Sequence, residues 1–367
     1  MPEADALATV RAALDGPVDE TYPLTDDETV STWRARSIDA LDALIRRDLI
    51  GRTAATGEQL IDALARIAQD PLDVNLGGHP GRTRLVGETV RNVADPGRIN
   101  QGYKGTCAVT CVETFVAERV PAEYARLVAG LASPGGRVTL SGGDELVRDE
   151  DVLEWHDTEA RRSPVSRLLQ VAFMEFAYPE LDYQNLVDGH IAHQLPGEGA
   201  DDPSENTGTG IGLDEFDRLL EAVSGERWDT VSEHQTQLAS KFAALGIDTS
   251  LMPDLYRDGM GIIRAALKDG APIFVTLGSR PDGVRIGEDP MYALPHKVRV
   301  QRIDDAEGRA WYDDPLDPED PWMPGVQTVV EDDKGTCSMS VEDFELLVCE
   351  ISYQPQYAEG VVPTSGG

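Results

Sequence analysis

The sequence predicts an α+β protein, and three observations carry that reading. Apolar residues recur at helical spacing in segment after segment as far as Lys268. Lys297–Ile303 (KVRVQRI) instead alternates polar and apolar, the period-2 pattern of a half-buried strand. After a DDAEG turn, Arg309–Tyr312 reads as its antiparallel partner, closing on Asp313-Asp314-Pro315.

The elements follow in order. Residues 1–75 read as helical: Ile38, Leu41, Leu44 and Ile45 share one face, and Leu60, Leu64 and Ile67 share another. No Gly-rich loop or titratable cluster stands out there, so 1–90 is expected to be a helical appendage, with a propeptide or docking module as the functional alternative. The run GGHPGR and the break at Asp95-Pro96-Gly97 mark 76–99 as a boundary or entry loop. Cys107–Arg119 suits a buried helix through Val109, Phe115, Val116 and Ala117, ended by Pro121, which opens a second helix. Residues 136–150 form a hairpin around Gly142-Gly143, and 164–178 a strongly apolar, central helix. The stretch 195–211 is a polar, Gly-rich loop. Helices are expected over Leu213–Val223, capped by Gly225, and over 258–268, ending at Gly270. Ile273–Leu277 is a buried strand. The main domain is taken as 91–367.

Composition narrows the function. Lys+Arg 32 against Asp+Glu 66 gives a formal charge of −34, which repels phosphate backbones and anionic headgroups, so nucleic acid is not expected as a partner. High-salt solubility and a basic protein partner both fit such a surface. If solubility is its role, unfolding midpoints should rise from low to molar salt as screening relieves self-repulsion; a flat or falling response would favour the partner. No run approaches the roughly 18 apolar residues of a membrane span, so no membrane insertion is expected. The N-terminus lacks a charged segment followed by an apolar one, so the expected location is cytoplasmic, or exported without a cleaved signal peptide.

Four cysteines (Cys107, Cys111, Cys337, Cys349) are too few for a disulfide scaffold at 367 residues, and none forms a CxxC pair. Cys107 stands apart because it opens a buried helix, where the helix's partial positive charge favours thiolate, the reactive form. Cys111, a turn deeper, reads as a small core residue. Gln101 lies on the loop entering the helix, so its side-chain amide and the Cys107 backbone N–H could form an oxyanion hole.

A thiolate nucleophile needs a base. Among six histidines, His79 lies in a turn, His156 and His234 in polar helical stretches. His190 and His193 are spaced as HxxH without a third ligand in context, so no metal and no cofactor is expected. His296 opens the alternating strand, and the partner strand returns Asp313 and Asp314 to the same end. Neighbours on a strand point to opposite faces, so one of the two aspartates can orient the ring. Asp314 is preferred because Pro315 holds its backbone extended, with Asp313 as the second choice.

Together these residues resemble the papain-like cysteine peptidases. Gln101 precedes Cys107 in a Gln-Gly-x-x-Gly-Thr-Cys run, a helix follows the cysteine, Gly270–Val275 is similar to the family's Gly-Pro-Val strand, and His296 opens the next strand. Asp-Pro at the end of its partner looks like bacterial members that cleave leader peptides at double-glycine sites. The likeness covers roughly 95–355. It implies a papain-like fold with an N-terminal helical extension and a protein or peptide substrate. It also implies Cys107 as nucleophile, His296 as general base and acid, Asp314 as orienting group and Gln101 as oxyanion donor. A deamidase, transglutaminase-like or acyl-transfer effector on the same fold, and an inactive papain-like binding protein, are the alternatives.

Overall fold

In a computed structural model, the described residues are 2–18, 28–76, 78–102, 104–148, 162–179, 183, 211–232, 259–278, 296–316, 327–332 and 334–358. Among them the chain divides into two compact units, Met1–Ile211 with Ala222–Gly225, and Gly212–Glu221 with Glu226–Gly367.

The first unit is helical: α1 (Glu3–Leu14), α2 (Val30–Arg46), α3 (Leu60–Gln69), α4 (Gly78–Ala94), α5 (Cys107–Arg119), α6 (Pro121–Ala132) and α7 (Pro164–Ala177), with a small hairpin of β1 (Arg137–Thr139) and β2 (Glu145–Val147). Leu41, Leu44, Leu60, Leu64 and Ile67 are buried as their spacing requires, while Ile38 and Ile45 are half-buried at the edge of the stripe. Pro121 falls at the start of α6, where a missing backbone N–H costs nothing.

One element departs from expectation. The Gly/Pro run at 76–82 does not separate two domains; most of it is absorbed into the first turn of α4, a 17-residue helix. Pro80 falls in that first turn, which tolerates it. Gly81 is required because a Cβ there would lie 1.7 Å from the Leu76 carbonyl oxygen. From Thr83 onward α4 is buried. The boundary expected between 90 and 91 therefore falls inside α4 and inside one compact unit, since α3 packs on α4 and α6 and α2 packs on α4. Asp95-Pro96-Gly97 does break the helix, into a single 3-10 turn.

The α2–α4 contact is close. A Cβ at Gly87 would sit 2.3 Å from Cζ2 of the fully buried Trp33, whose Nε1 donates to Glu88 Oε1 at 2.5 Å. Gly87→Ala is expected to destabilise by about 1–3 kcal/mol by overpacking, measured by thermal or urea unfolding; an unchanged midpoint would mean this contact is loose.

The second unit contains α8 (Leu213–Ser224, all but its last turn), α9 (Gly259–Lys268), α10 (Val341–Leu347) and an antiparallel sheet. Its strands are β3 (Asp229–Ser232), β4 (Phe274–Leu277), β5 (His296–Asp304), β6 (Arg309–Asp313), β7 (Val329–Val330), β8 (Thr336–Ser340) and β9 (Val348–Tyr353), in the order β3-β9-β4-β5-β6-β8-β7. Gly225 and Gly270 follow their helices at φ +72° and +68°, the left-handed cap conformation. Register fixes two faces. Thr276 pairs with Lys297, Phe274 with Arg299 and Arg299 with Asp313, so these share one face. Val275, Leu277, His296 and Val298 share the other. Phe216 of α8 meets Phe274 edge to face at 5.5 Å and covers the first face. Gly259 of α9 lies against Ile351, which pairs with Val275, and covers the second.

Candidate active site

In the first unit, Cys107 is the first residue of α5 and is half-buried, whereas Ala108–Ala117 are buried all round. The helix is thus fixed by its body and presents its positive end at the cysteine. The preceding loop turns at Gly102 (φ +59°), whose N–H donates to Asn100 Oδ1 at 3.0 Å. Thr106, before the cysteine, makes no side-chain cap to α5; its hydroxyl donates instead to Gln170 Oε1 at 3.0 Å. Gln101 is buried, its Nε2 donates to the Lys104 carbonyl at 2.5 Å, and its Oε1 has no hydrogen-bond partner among the described residues. That bond uses one of the two amide protons, so the expected oxyanion donor has one left. Cys111 is a core residue, as its spacing implies.

In the second unit, His296 opens β5 and is buried, and its Nε2 lies 2.7 Å from Asp314 Oδ1. The same Oδ1 accepts the Leu316 N–H at 2.9 Å, and the Asp314 N–H donates to the Gly335 carbonyl at 2.9 Å. With Asp314 Oδ1 already an acceptor, Nε2 donates, and Nδ1 is the basic nitrogen. Asp313 does not take this role. It ends β6 on the opposite face, where Arg299 Nε donates to it at 2.8 Å and Gln301 Nε2 also donates. The reason is strand periodicity: Asp313 is paired with Arg299, so the next residue points to the imidazole side. Burial pushes the Asp313 carboxyl above the usual carboxylate range, against the pull of Arg299.

Lys297 points away from His296, onto the α8 face. Its Nζ lies 4.5 Å from the Phe216 ring centroid and 3.7 Å from Glu350 Oε2. Cys337, opposite Tyr312 in the register, is a poor nucleophile: burial, then the charge of Asp314, push its thiol far up.

The sequence reading missed a buried polar cluster behind the Cys107 loop. Glu113, on α5, is fully buried; Oε1 accepts from the Tyr124 hydroxyl at 2.8 Å and the Ser166 hydroxyl at 2.9 Å, and Oε2 from Gln170 Nε2 at 2.9 Å. Burial pushes its carboxyl up to about 7, against the hydrogen bonds of Gln170, Tyr124 and Ser166. The visible signal was a Glu inside CAVTCVETFVA and a Gln inside PVSRLLQVAFM, polar residues within largely apolar helical stretches. A carboxyl raised from 4.5 to about 7 stabilises the fold in its neutral form. That stability is complete below the unfolded value and lost as pH climbs through the folded one. Between pH 5 and 8 wild type is therefore expected to lose up to about 3 kcal/mol more than Glu113→Gln, read from urea unfolding at each pH. Parallel curves would contradict it.

The structure thus sets His296 against Asp314, keeps Cys107 and Gln101 on one loop and helix start, and sends Asp313 elsewhere. His156, His190, His193, His234, the side chain of His79 and the stretch 195–210 lie outside the described residues. Among described residues no group of His, Cys, Asp or Glu could hold a metal, and no helix is long and apolar enough to cross a membrane. No family model, curated protein or solved structure matches the chain.

Proposed function

We propose that this protein is a cysteine peptidase, a thiol hydrolase of papain-like fold working through Cys107, His296 and Asp314, with Gln101 as oxyanion donor. The observation that carries the reading is the buried imidazole–carboxylate pair at 2.7 Å, which holds one tautomer with Nδ1 basic. It is supported by a cysteine at the positive end of a helix whose remaining turns are buried.

In this mechanism His296 Nδ1 takes the Cys107 proton, and the thiolate attacks the scissile carbonyl carbon. The tetrahedral oxyanion is met by the Cys107 N–H and the remaining Gln101 amide proton. The imidazolium, stabilised by Asp314, returns the proton to the leaving amine. Water, deprotonated by the same imidazole, then releases the acyl group and regenerates the thiol. An amine in place of water would give acyl transfer, and a glutamine side chain in place of a peptide bond would give deamidation. Mass spectrometry of a basic-protein-enriched proteome treated with the enzyme tests the proposal. New peptide termini, absent with Cys107→Ala, are the expected result; Gln-to-Glu shifts without cuts would replace peptidase by deamidase.

A further inference from the structure

The cluster behind α5 has a feature that core packing does not require. Gln170, in the middle of α7 and fully buried, uses all four of its hydrogen-bonding positions. Nε2 donates to the Asn100 carbonyl at 3.0 Å and to Glu113 Oε2 at 2.9 Å. Oε1 accepts from the Thr106 hydroxyl at 3.0 Å and Arg162 Nη1 at 3.3 Å. One side chain therefore grips both ends of the loop 100–106 and ties it to the body of α5.

We infer that Gln170 is a positioning residue that fixes the loop bearing Gln101 and Cys107, and that the Asn100 carbonyl and the Arg162 guanidinium set the direction in which its amide faces. The inference rests on reading Cys107 as the nucleophile. The polarity is determined by the partners. The Asn100 carbonyl can only accept and the Arg162 guanidinium can only donate, so Nε2 of Gln170 faces Asn100 and Oε1 faces Arg162 whatever the protonation of Glu113. Its oxygen must then face Thr106, whose hydroxyl is drawn away from capping α5. Turning the amide over would set its oxygen against the Asn100 carbonyl and its amino group against the Arg162 guanidinium, leaving a buried acceptor without a donor and a buried donor without an acceptor.

The test uses the full chain with Gln170→Leu and Thr106→Val, the second removing only the hydroxyl that joins the residue before the cysteine to Gln170. Iodoacetamide labelling at pH 6 is followed by peptide mass spectrometry, with the half-buried Cys349 as internal reference. Both variants are expected to slow Cys107 labelling by about tenfold, the loss that a small displacement of a reacting group brings, while Cys349 and the unfolding midpoint of Thr106→Val stay near wild type. Hydrogen exchange over residues 100–110 follows the loop without reference to reactivity and is expected to quicken by about tenfold in the variants. If Gln170→Leu fails to fold, Thr106→Val decides. Wild-type labelling and wild-type exchange in a folded variant would overturn the inference. A wild-type Cys107 no more reactive than Cys349, with the loop still loosened in the variants, would leave Gln170 in place and remove the peptidase reading instead.

Discussion

Cys107→Ala is expected to lower peptide hydrolysis by roughly four orders of magnitude or more, because in the proposed mechanism the Cys107 sulfur forms the acyl-enzyme. The thiol is half-buried at the first residue of α5, while the anchoring contacts of that helix come from residues 108–117. The stability change should therefore be about 1 kcal/mol or less. The separation of the two effects is the point. Unfolding curves and turnover measured on the same preparation should diverge. A variant that folds and still cuts at the wild-type rate would transfer the chemistry to another residue. Cys337 is a poor candidate for it, with burial and the Asp314 charge both opposing ionisation.

Asp314→Ala should act on activity and stability together. Asp314 Oδ1 accepts both the His296 Nε2 proton and the Leu316 N–H, so removing it leaves two buried donors without an acceptor. A loss of about 1–3 kcal/mol in unfolding free energy follows. Turnover should fall by about two to four orders of magnitude, because the ring is no longer held with Nδ1 basic and the imidazolium loses its counter-charge. Asp314→Asn is the informative companion. Its Oδ1 can accept both bonds, so stability should stay close to wild type while the loss of charge alone lowers turnover. Asp313→Asn should leave turnover near wild type, since Asp313 bonds Arg299 and Gln301 on the other face. If Asp314→Ala loses stability but no activity, the pair is a structural one.

Much of this could be read from the sequence because it rests on local rules. The period-2 run at 297–303 marks the strand, the DDAEG turn returns the chain, strand alternation allows only one of Asp313 and Asp314 to face the imidazole, and Pro315 favours Asp314. Cys107 and Arg119 bound their helix as the spacing of apolar residues and Pro121 require. Four features were not legible. The Gly/Pro run at 76–82 carries every sign of a loop, yet a helix start tolerates both residue types, and tertiary burial of α4 decided the matter. The two compact units divide at Ile211/Gly212, with Ala222–Gly225 belonging to the first, a division set by packing between segments distant in sequence, which no local signal encodes. The Glu113–Gln170 cluster depends on α5, α6 and α7 meeting around polar side chains; the sequence marks each as an oddity but not as partners. Nor could it reveal that Gln101 spends one amide proton on the Lys104 carbonyl.

The central claim is that Cys107 is ionised by His296, and the pH dependence of Cys107 alkylation tests it most directly. An ordinary cysteine thiol ionises at about pH 8.5, so its labelling rate falls about tenfold for each pH unit below that. Wild-type Cys107 is predicted to label rapidly and almost independently of pH between 6 and 8, with His296→Ala returning it to the steep profile of an ordinary thiol. A steep, ordinary profile in wild type, unchanged by His296→Ala, would contradict the account.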